Sequence, residues 1–390
     1  MKSVLFHYPI LNVGGAEKST LRMLRAMCDR GWQVTLVLTT GGGELEPEID
    51  PRVTVVRLRP RACGHQFLAA REWSSRLREL PDLFGYLFMR AIGALRMLPF
   101  LFRRYEAAAV LLMGTPSYFV RRVVRADVRA IWIRNDLSGA DPSGRVTEAL
   151  RSAAGELDYF ICVSEVSRRS LLMAVPEALS KAVVIYNIIA PDEMQAMAGK
   201  APPPFDPSRD GFVNILTVCR LNDRAKGLVR MARVCRALKD KGLRFHWYIA
   251  GSGTDRTLLE AEIATLDIAD CMSLLGTLQN PFPAYQAADL IAMLSNYEGL
   301  CGVINEARVL GKSVIATRVS GIDEQLVSEK NGLIVEQEEA DIIAGMTRML
   351  TDQQFRQGLA GGGYPAALLD DEAKLDRLED LFMCNGGRCE

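Results

Sequence analysis

No stretch of about 18 uninterrupted apolar residues occurs in the 390-residue chain, so a transmembrane helix is not expected. The run from Leu83 to Phe102 comes nearest, and Arg90 and Arg96 interrupt it. Neither charge sign is in excess: 47 lysines and arginines balance 47 aspartates and glutamates, and no nucleic-acid partner is expected on global electrostatics. Metal-binding patterns are also scarce. The nine cysteines are odd in number and mostly isolated among apolar residues, which fits reduced thiols. Cys384 and Cys389, the one close pair, lack two further partners at zinc spacing. No Asp-x-Asp pair is present to hold a divalent cation between phosphates, so metal independence is expected. Gly14-Gly15-Ala-Glu-Lys-Ser19 has neither Gly-x-Gly-x-x-Gly nor Walker spacing, which argues against NAD and ATP. No Gly-x-Ser-x-Gly elbow surrounds Ser164, which reads as a helix N-cap, so a Ser–His–Asp hydrolase is disfavoured. The N-terminus has no charged-then-apolar leader, and a cytoplasmic location is expected.

What the chain does have is apolar residues, 49% of the total, ample for large cores. Short β-rich runs recur, among them Val4–Phe6, Val34–Leu38, Val53–Val56, Ala108–Met113, Ala130–Ile133, Tyr159–Val163 and Val183–Tyr186, with helical stretches between several of them. After a Pro-rich segment, Ala201-Pro-Pro-Pro-Phe-Asp-Pro207, the pattern resumes at Val213–Val218, Phe245–Ala250, Met272–Leu275, Leu290–Leu294, Ser313–Ala316 and Gly332–Val335. Alternating strands and helices imply parallel sheets covered on both faces, here as two Rossmann-like domains. We expect an N-terminal domain over 1–190, a linker over 191–210, a second domain over 211–370, and over 371–390 a C-terminal helix able to return to the first domain. Between Arg57 and Arg104, ten arginines face three carboxylates and are interleaved with large apolar residues. Such a segment is drawn to an anionic membrane surface; the competing reading is a core-facing helix with arginines on its outer side.

The most informative stretch is Asn296-Tyr-Glu-Gly-Leu-Cys-Gly-Val-Ile-Asn-Glu-Ala-Arg308, where a buried strand hands over through a glycine loop to a helix. Free backbone N–H groups at such a junction suit a phosphate. Glu298 and Glu306 would repel one by roughly 4 kcal/mol at a few ångströms, so sugar hydroxyls are their natural partners. The Glu-x7-Glu pattern, followed by Gly311-Lys-Ser-Val-Ile-Ala-Thr-Arg-Val-Ser-Gly-Ile-Asp-Glu324 and Asn331-Gly-Leu-Ile-Val335, resembles the donor half of a GT-B glycosyltransferase of family 4, a family of retaining enzymes that use nucleotide-sugars. The resemblance is strong from Val213 to Val335 and diffuse from Lys2 to Tyr186. It implies a GT-B fold, two Rossmann-like domains with their sheets facing across a cleft.

By motif match the resemblance puts Arg220 and Lys226, in Val218-Cys-Arg-Leu-Asn-Asp-Arg-Ala-Lys-Gly227, on the donor diphosphate. Positive charge there stabilises the leaving oxygen as it gains negative charge. Glu298 then contacts hydroxyls of the transferred sugar, Glu306 the ribose, and backbone groups around Gly299, Leu300, Cys301, Gly302 and Val303 the phosphate. Gly14 and Gly15 match the first-domain Gly-Gly loop that faces phosphates and acceptor; Gly251 and Gly253 match a loop near the nucleotide, and Thr277 a position near the base. The chain departs from the family where many relatives carry a histidine after the strand Ile131–Ile133: it reads Arg134-Asn135-Asp136. Arg134 suits an anionic acceptor and Asp136 a proton; equally, the two pair and hold the loop in shape.

The expected activity is a retaining hexosyltransferase, with a nucleotide-sugar, a UDP-sugar by preference, as co-substrate and no cofactor. Its acceptor is a glycan or lipid-linked sugar in cell-surface polysaccharide or glycoconjugate synthesis, met in the cytoplasm or peripherally at the inner membrane face. Two other readings stay open: a GT-B nucleotide-sugar epimerase, and a non-catalytic nucleotide-sugar-binding scaffold of a polysaccharide assembly complex.

Overall fold

The computed structural model describes residues 2–60, 80–208 and 211–383. The chain divides into two compact units, one made of residues up to Ile188 plus those from Glu372 onward, the other Ile189–Asp371. In the first unit, β1 (Ser3–Tyr8), β2 (Gln33–Thr40), β3 (Thr54–Arg59), β4 (Arg104–Val110), β5 (Arg125–Ile133), β6 (Tyr159–Cys162) and β7 (Ala182–Val184) form one parallel sheet in the order β3-β2-β1-β4-β5-β6-β7. In the second, β8 (Val213–Val218), β9 (Phe245–Ala250), β10 (Met272–Gly276), β11 (Leu290–Met293), β12 (Ser313–Thr317) and β13 (Leu333–Val335) run parallel in the order β10-β9-β8-β11-β12-β13. Both units are α/β and doubly wound. The strand order reverses between β1 and β4 and again between β8 and β11, and ligand crevices form at the strand C-termini at such switch points.

The central strands read as unbroken apolar runs because helices cover both their faces. All six residues of β1 and of β9 are buried. Around the second sheet the helix Leu228–Asp240 turns Leu228, Met231, Cys235 and Leu238 inward at helical spacing, onto Trp247, Ile249 and Ala292. The helix Glu165–Ala174 begins at a capping box in which Ser164 and Ser167 satisfy each other's backbone N–H, as the sequence suggested for Ser164.

The helix Asp371–Met383 belongs, from Glu372 on, to the first unit. Its Phe382 is buried among Phe6, Trp32 and Trp132, with ring centroids 6.2, 6.0 and 6.4 Å away. Arg30 holds Glu372 and Asp376, and Lys2 meets Glu379 at 2.8 Å.

The stretch expected to be linker, 191–210, behaves differently in its two halves. Pro191–Ala198 is a helix, because proline at the first helical position costs no hydrogen bond and Asp192 and Glu193 suit the N-terminal dipole. Met194 and Ala198 are buried in the second unit. The Pro-rich part forms no regular element, yet Phe205 stacks on Tyr248 at 3.9 Å. The pair Cys384/Cys389 and residues 61–79 of the basic segment lie outside the described residues.

Candidate active site

At the switch point of the second sheet, the segments leaving β8 and β11 line one small cavity. Its walls include Thr217, Cys219, Lys226, Ser295, Glu298, Cys301 and Val303. Local chemistry builds each side. After β8, the Asn222 side chain accepts from the Ala225 N–H at 3.0 Å and starts the one-turn helix Asp223–Lys226, which delivers Lys226 inward. After β11, the Asn296 N–H donates to Ala225 O at 2.8 Å and its side chain to Arg224 O at 3.0 Å, so the two segments are joined backbone to backbone. Lys226 forms an ion pair with Glu298, and Ser295 Oγ donates to the same carboxylate oxygen at 2.8 Å. Burial alone would lower the Lys226 pKa, but the Glu298 carboxylate outweighs it and holds the ammonium above its ordinary value. The lysine is a permanent cation there.

The loop 299–302 is clamped from behind. Gln325 accepts from the Cys301 N–H and donates to Cys301 O, both at 2.9 Å, and also reaches Asn305 Oδ1 at 2.6 Å and Tyr364 Oη at 3.1 Å. Gly321, at φ 77°, lies so close that a Cβ there would stand 2.2 Å from Gly299 O. The helix Gly302–Val309 opens at this loop, with its first-turn N–H groups beside the cavity that Val303 lines. Cys301 is buried, and burial, with Glu298 adding to it, pushes its thiol up to about 12, which favours the neutral thiol of a packing residue over a thiolate.

Glu306 sits one turn further along that helix, and Tyr285 Oη donates to its carboxylate at 2.8 Å. Arg220 is on the exposed part of the β8 loop. Gly251 and Gly253 pack against that loop's backbone: a Cβ would stand 1.8 Å from Cys219 O at the first and 2.2 Å from Leu221 O at the second. This close approach, and at Gly251 a φ of 144°, account for glycine at both positions. Thr277 is exposed, just past β10 at the sheet edge. The structure thus brings Lys226, Glu298, Cys301 and Val303 together, with Gly299, Leu300 and Gly302 in the adjoining loop.

In the first unit, Gly14 caps the helix Gly15–Asp29 in extended conformation at the C-terminal end of β1. The expected pairing of Arg134 with Asp136 needs correction. Its guanidinium is buried and donates to Leu111 O at 2.7 Å, Asn187 Oδ1 at 3.0 Å and Thr20 Oγ1 at 3.0 Å. Burial pulls its pKa down. Pairing with Asp136 is not what holds it; Asp136 instead caps the short helix Leu137–Ala140 through the Ser138 N–H at 2.9 Å. Three neutral acceptors, after β4, after β7 and on the first helix, hold Arg134 in place. The positioning residues Asn296, Ser295, Gln325 and Tyr285 escaped sequence reasoning. An Asn directly after a buried strand was the one available signal.

Two family profiles match in succession, Glycosyltransferase Family 4 over residues 13–193 and Glycosyl transferases group 1 over residues 213–352. The chain belongs to this glycosyltransferase family. It is 25% identical to one of the polypeptides of human phosphatidylinositol N-acetylglucosaminyltransferase, over 82% of this chain and 62% of that one. It is 30% identical to the amylovoran biosynthesis glycosyltransferase AmsK of Erwinia amylovora, over 36% of each chain. The chain therefore spans less than two thirds of either relative's length. Among solved structures, Anabaena HepE in complex with UDP and glucose superposes with a TM-score of 0.72 at 18% identity, covering 98% of this chain and 100% of that one. An S. aureus TarM complex containing UDP gives 0.74 at 13% identity, with 98% and 100% covered. These likenesses establish the GT-B fold.

Proposed function

We propose that this family member is a retaining, metal-independent hexosyltransferase that takes its sugar from a UDP-sugar and passes it to a glycan or lipid-linked acceptor in polysaccharide or glycoconjugate synthesis. The observation that carries the reading is the Lys226–Glu298 pair in the switch-point cavity between β8 and β11. A fixed cation beside helix N–H groups suits a diphosphate, and a carboxylate next to it suits the hydroxyls of the attached sugar. Glu306, held by Tyr285, is assigned to the ribose, and Arg220 to the diphosphate.

In the proposed step the bond between the anomeric carbon and the diphosphate oxygen breaks as the acceptor oxygen bonds to the same face of that carbon. The acceptor's proton passes to the leaving phosphate oxygen, and Lys226 with Arg220 neutralises the charge that develops. The relatives support the acceptor class, since AmsK bears the name of amylovoran biosynthesis and the human relative that of a phosphatidylinositol N-acetylglucosaminyltransferase. HepE and TarM, both solved with UDP, support the base. A thermal-shift panel of UDP-, GDP- and dTDP-sugars tests the donor: a true donor at 100 times its dissociation constant adds about 2.7 kcal/mol of stability. Stabilisation by none of them, or by GDP-sugars alone, would remove the UDP assignment.

A further inference from the structure

The helix Leu80–Met97, continued by the 3-10 turn Leu98–Leu101, lies along the edge strand β3. It buries Gly93 there, and Arg96 donates to Arg57 O. Its opposite side is bare. Phe84 is 67% exposed, Phe88 63%, Leu95 66% and Phe102, just past the turn, 81%; Leu87 and Leu98 are also exposed. At 100° per residue, positions 84, 87, 88, 91, 94, 95 and 98 fall within one arc of about 120°, and every residue in it is Phe, Leu or Ala. Arg90 lies just beyond one edge of that arc and Arg103 follows Phe102, whereas Arg96 is turned toward β3 and Arg104, in β4, is paired with Asp127. From Leu83 to Tyr105 there are four arginines and no carboxylate.

We infer that this face is the seat of the chain on an anionic lipid bilayer, with the aromatic stripe among the acyl chains and Arg90 and Arg103 at the headgroups. An apolar arc edged by cations is the geometry of an interfacial helix, in which long basic side chains reach sideways to the phosphates. The segment is long and apolar enough in composition to cross a membrane. It lies in the interface instead, since one of its sides is committed to β3 and two arginines sit within its span. A second copy is the poorer occupant: it would bring the arginines of two copies together, with Asp82 near the start of the helix the one carboxylate between Leu80 and Tyr105 to compensate. The inference is independent of the donor-site reading.

The test is sedimentation of the full chain with vesicles of phosphatidylcholine alone and of phosphatidylcholine with an equal part of phosphatidylglycerol. The wild type is expected to pellet with the anionic vesicles, weakly with the neutral ones, and to be released by about 0.5 M salt. The double variant Phe84→Ser/Phe88→Ser should bind at least about 100-fold more weakly, and Arg90→Gln/Arg103→Gln should lose the preference for anionic lipid. Because all four side chains are on the surface, the melting temperature and any slow donor hydrolysis in solution should not change. Wild-type binding by the Phe variant, or equal binding to both vesicle types, overturns the proposal. So does a wild-type dimer in free solution that Phe84→Ser/Phe88→Ser dissolves while vesicles capture nothing.

Discussion

Lys226 and Glu298, 72 positions apart, meet as an ion pair across the segments that leave β8 and β11. Their side chains are only 20% and 16% exposed, so each charge depends on the other more than a surface pair would. Lys226→Ala is expected to lower kcat by roughly 10² to 10³, the usual loss when one preorganised group facing a developing anion is removed. Glu298→Gln keeps an acceptor for Ser295 but discharges the partner of Lys226, and it should depress turnover while leaving UDP affinity nearly intact. Steady-state UDP release and calorimetric UDP titration separate these effects. Wild-type kinetics in both variants would exclude the site.

Tyr285 is buried, and its hydroxyl donates to Glu306 at 2.8 Å. Tyr285→Phe removes one hydrogen bond to a charged acceptor without changing the packing, a difference of about 1.5 to 3 kcal/mol. If Glu306 holds the ribose, a misdirected carboxylate should weaken UDP binding by about 10-fold or more, with kcat changed much less. Equal UDP affinity for Tyr285→Phe and wild type, measured by calorimetry, would detach Glu306 from the nucleotide.

The strands and the Glu-x7-Glu junction were legible because they depend on local pattern: apolar runs for strands covered on both faces, and a glycine loop between strand and helix. Arg134 was not legible, since its partners Leu111, Asn187 and Thr20 lie 23, 53 and 114 positions away and nothing in its own neighbourhood names them. The first half of the stretch expected to be linker, 191–210, differs for another reason. Pro191 stands at a first helical position, where proline is permissive, and Met194 and Ala198 of the helix it opens are buried. Gly251 and Gly253 were visible as glycines, but their close neighbour is the β8 loop's backbone.

Phe382 links the last helix to Phe6, Trp32 and Trp132 and is 1% exposed. Phe382→Ala should cost about 3 to 5 kcal/mol through lost burial and the cavity left behind. Because the helix belongs to the first unit, the loss should appear as earlier melting of that unit, while UDP-induced stabilisation of the second persists. Calorimetry with and without UDP reads both; a variant that melts as the wild type does would show that the helix contributes little.

His7 makes the acid side of the stability curve readable. It is buried in β1, edge-on to Phe119 at 5.2 Å, with Nε2 against Thr39 Oγ1 at 2.9 Å and Nδ1 without a hydrogen-bond partner among the described residues. Burial lowers its pKa from 6.5 to about 4. Between these values the unfolded chain carries a proton on this ring that the folded chain refuses, so stability rises with pH across the window and falls as pH drops through it. The full difference is on the order of 3 kcal/mol. His7→Leu cannot take up that proton, so its unfolding free energy should fall more gently between pH 6.5 and pH 4, whatever its absolute value at neutral pH. Urea unfolding at several pH values gives both slopes, and parallel slopes would mean that His7 binds its proton as readily folded as unfolded.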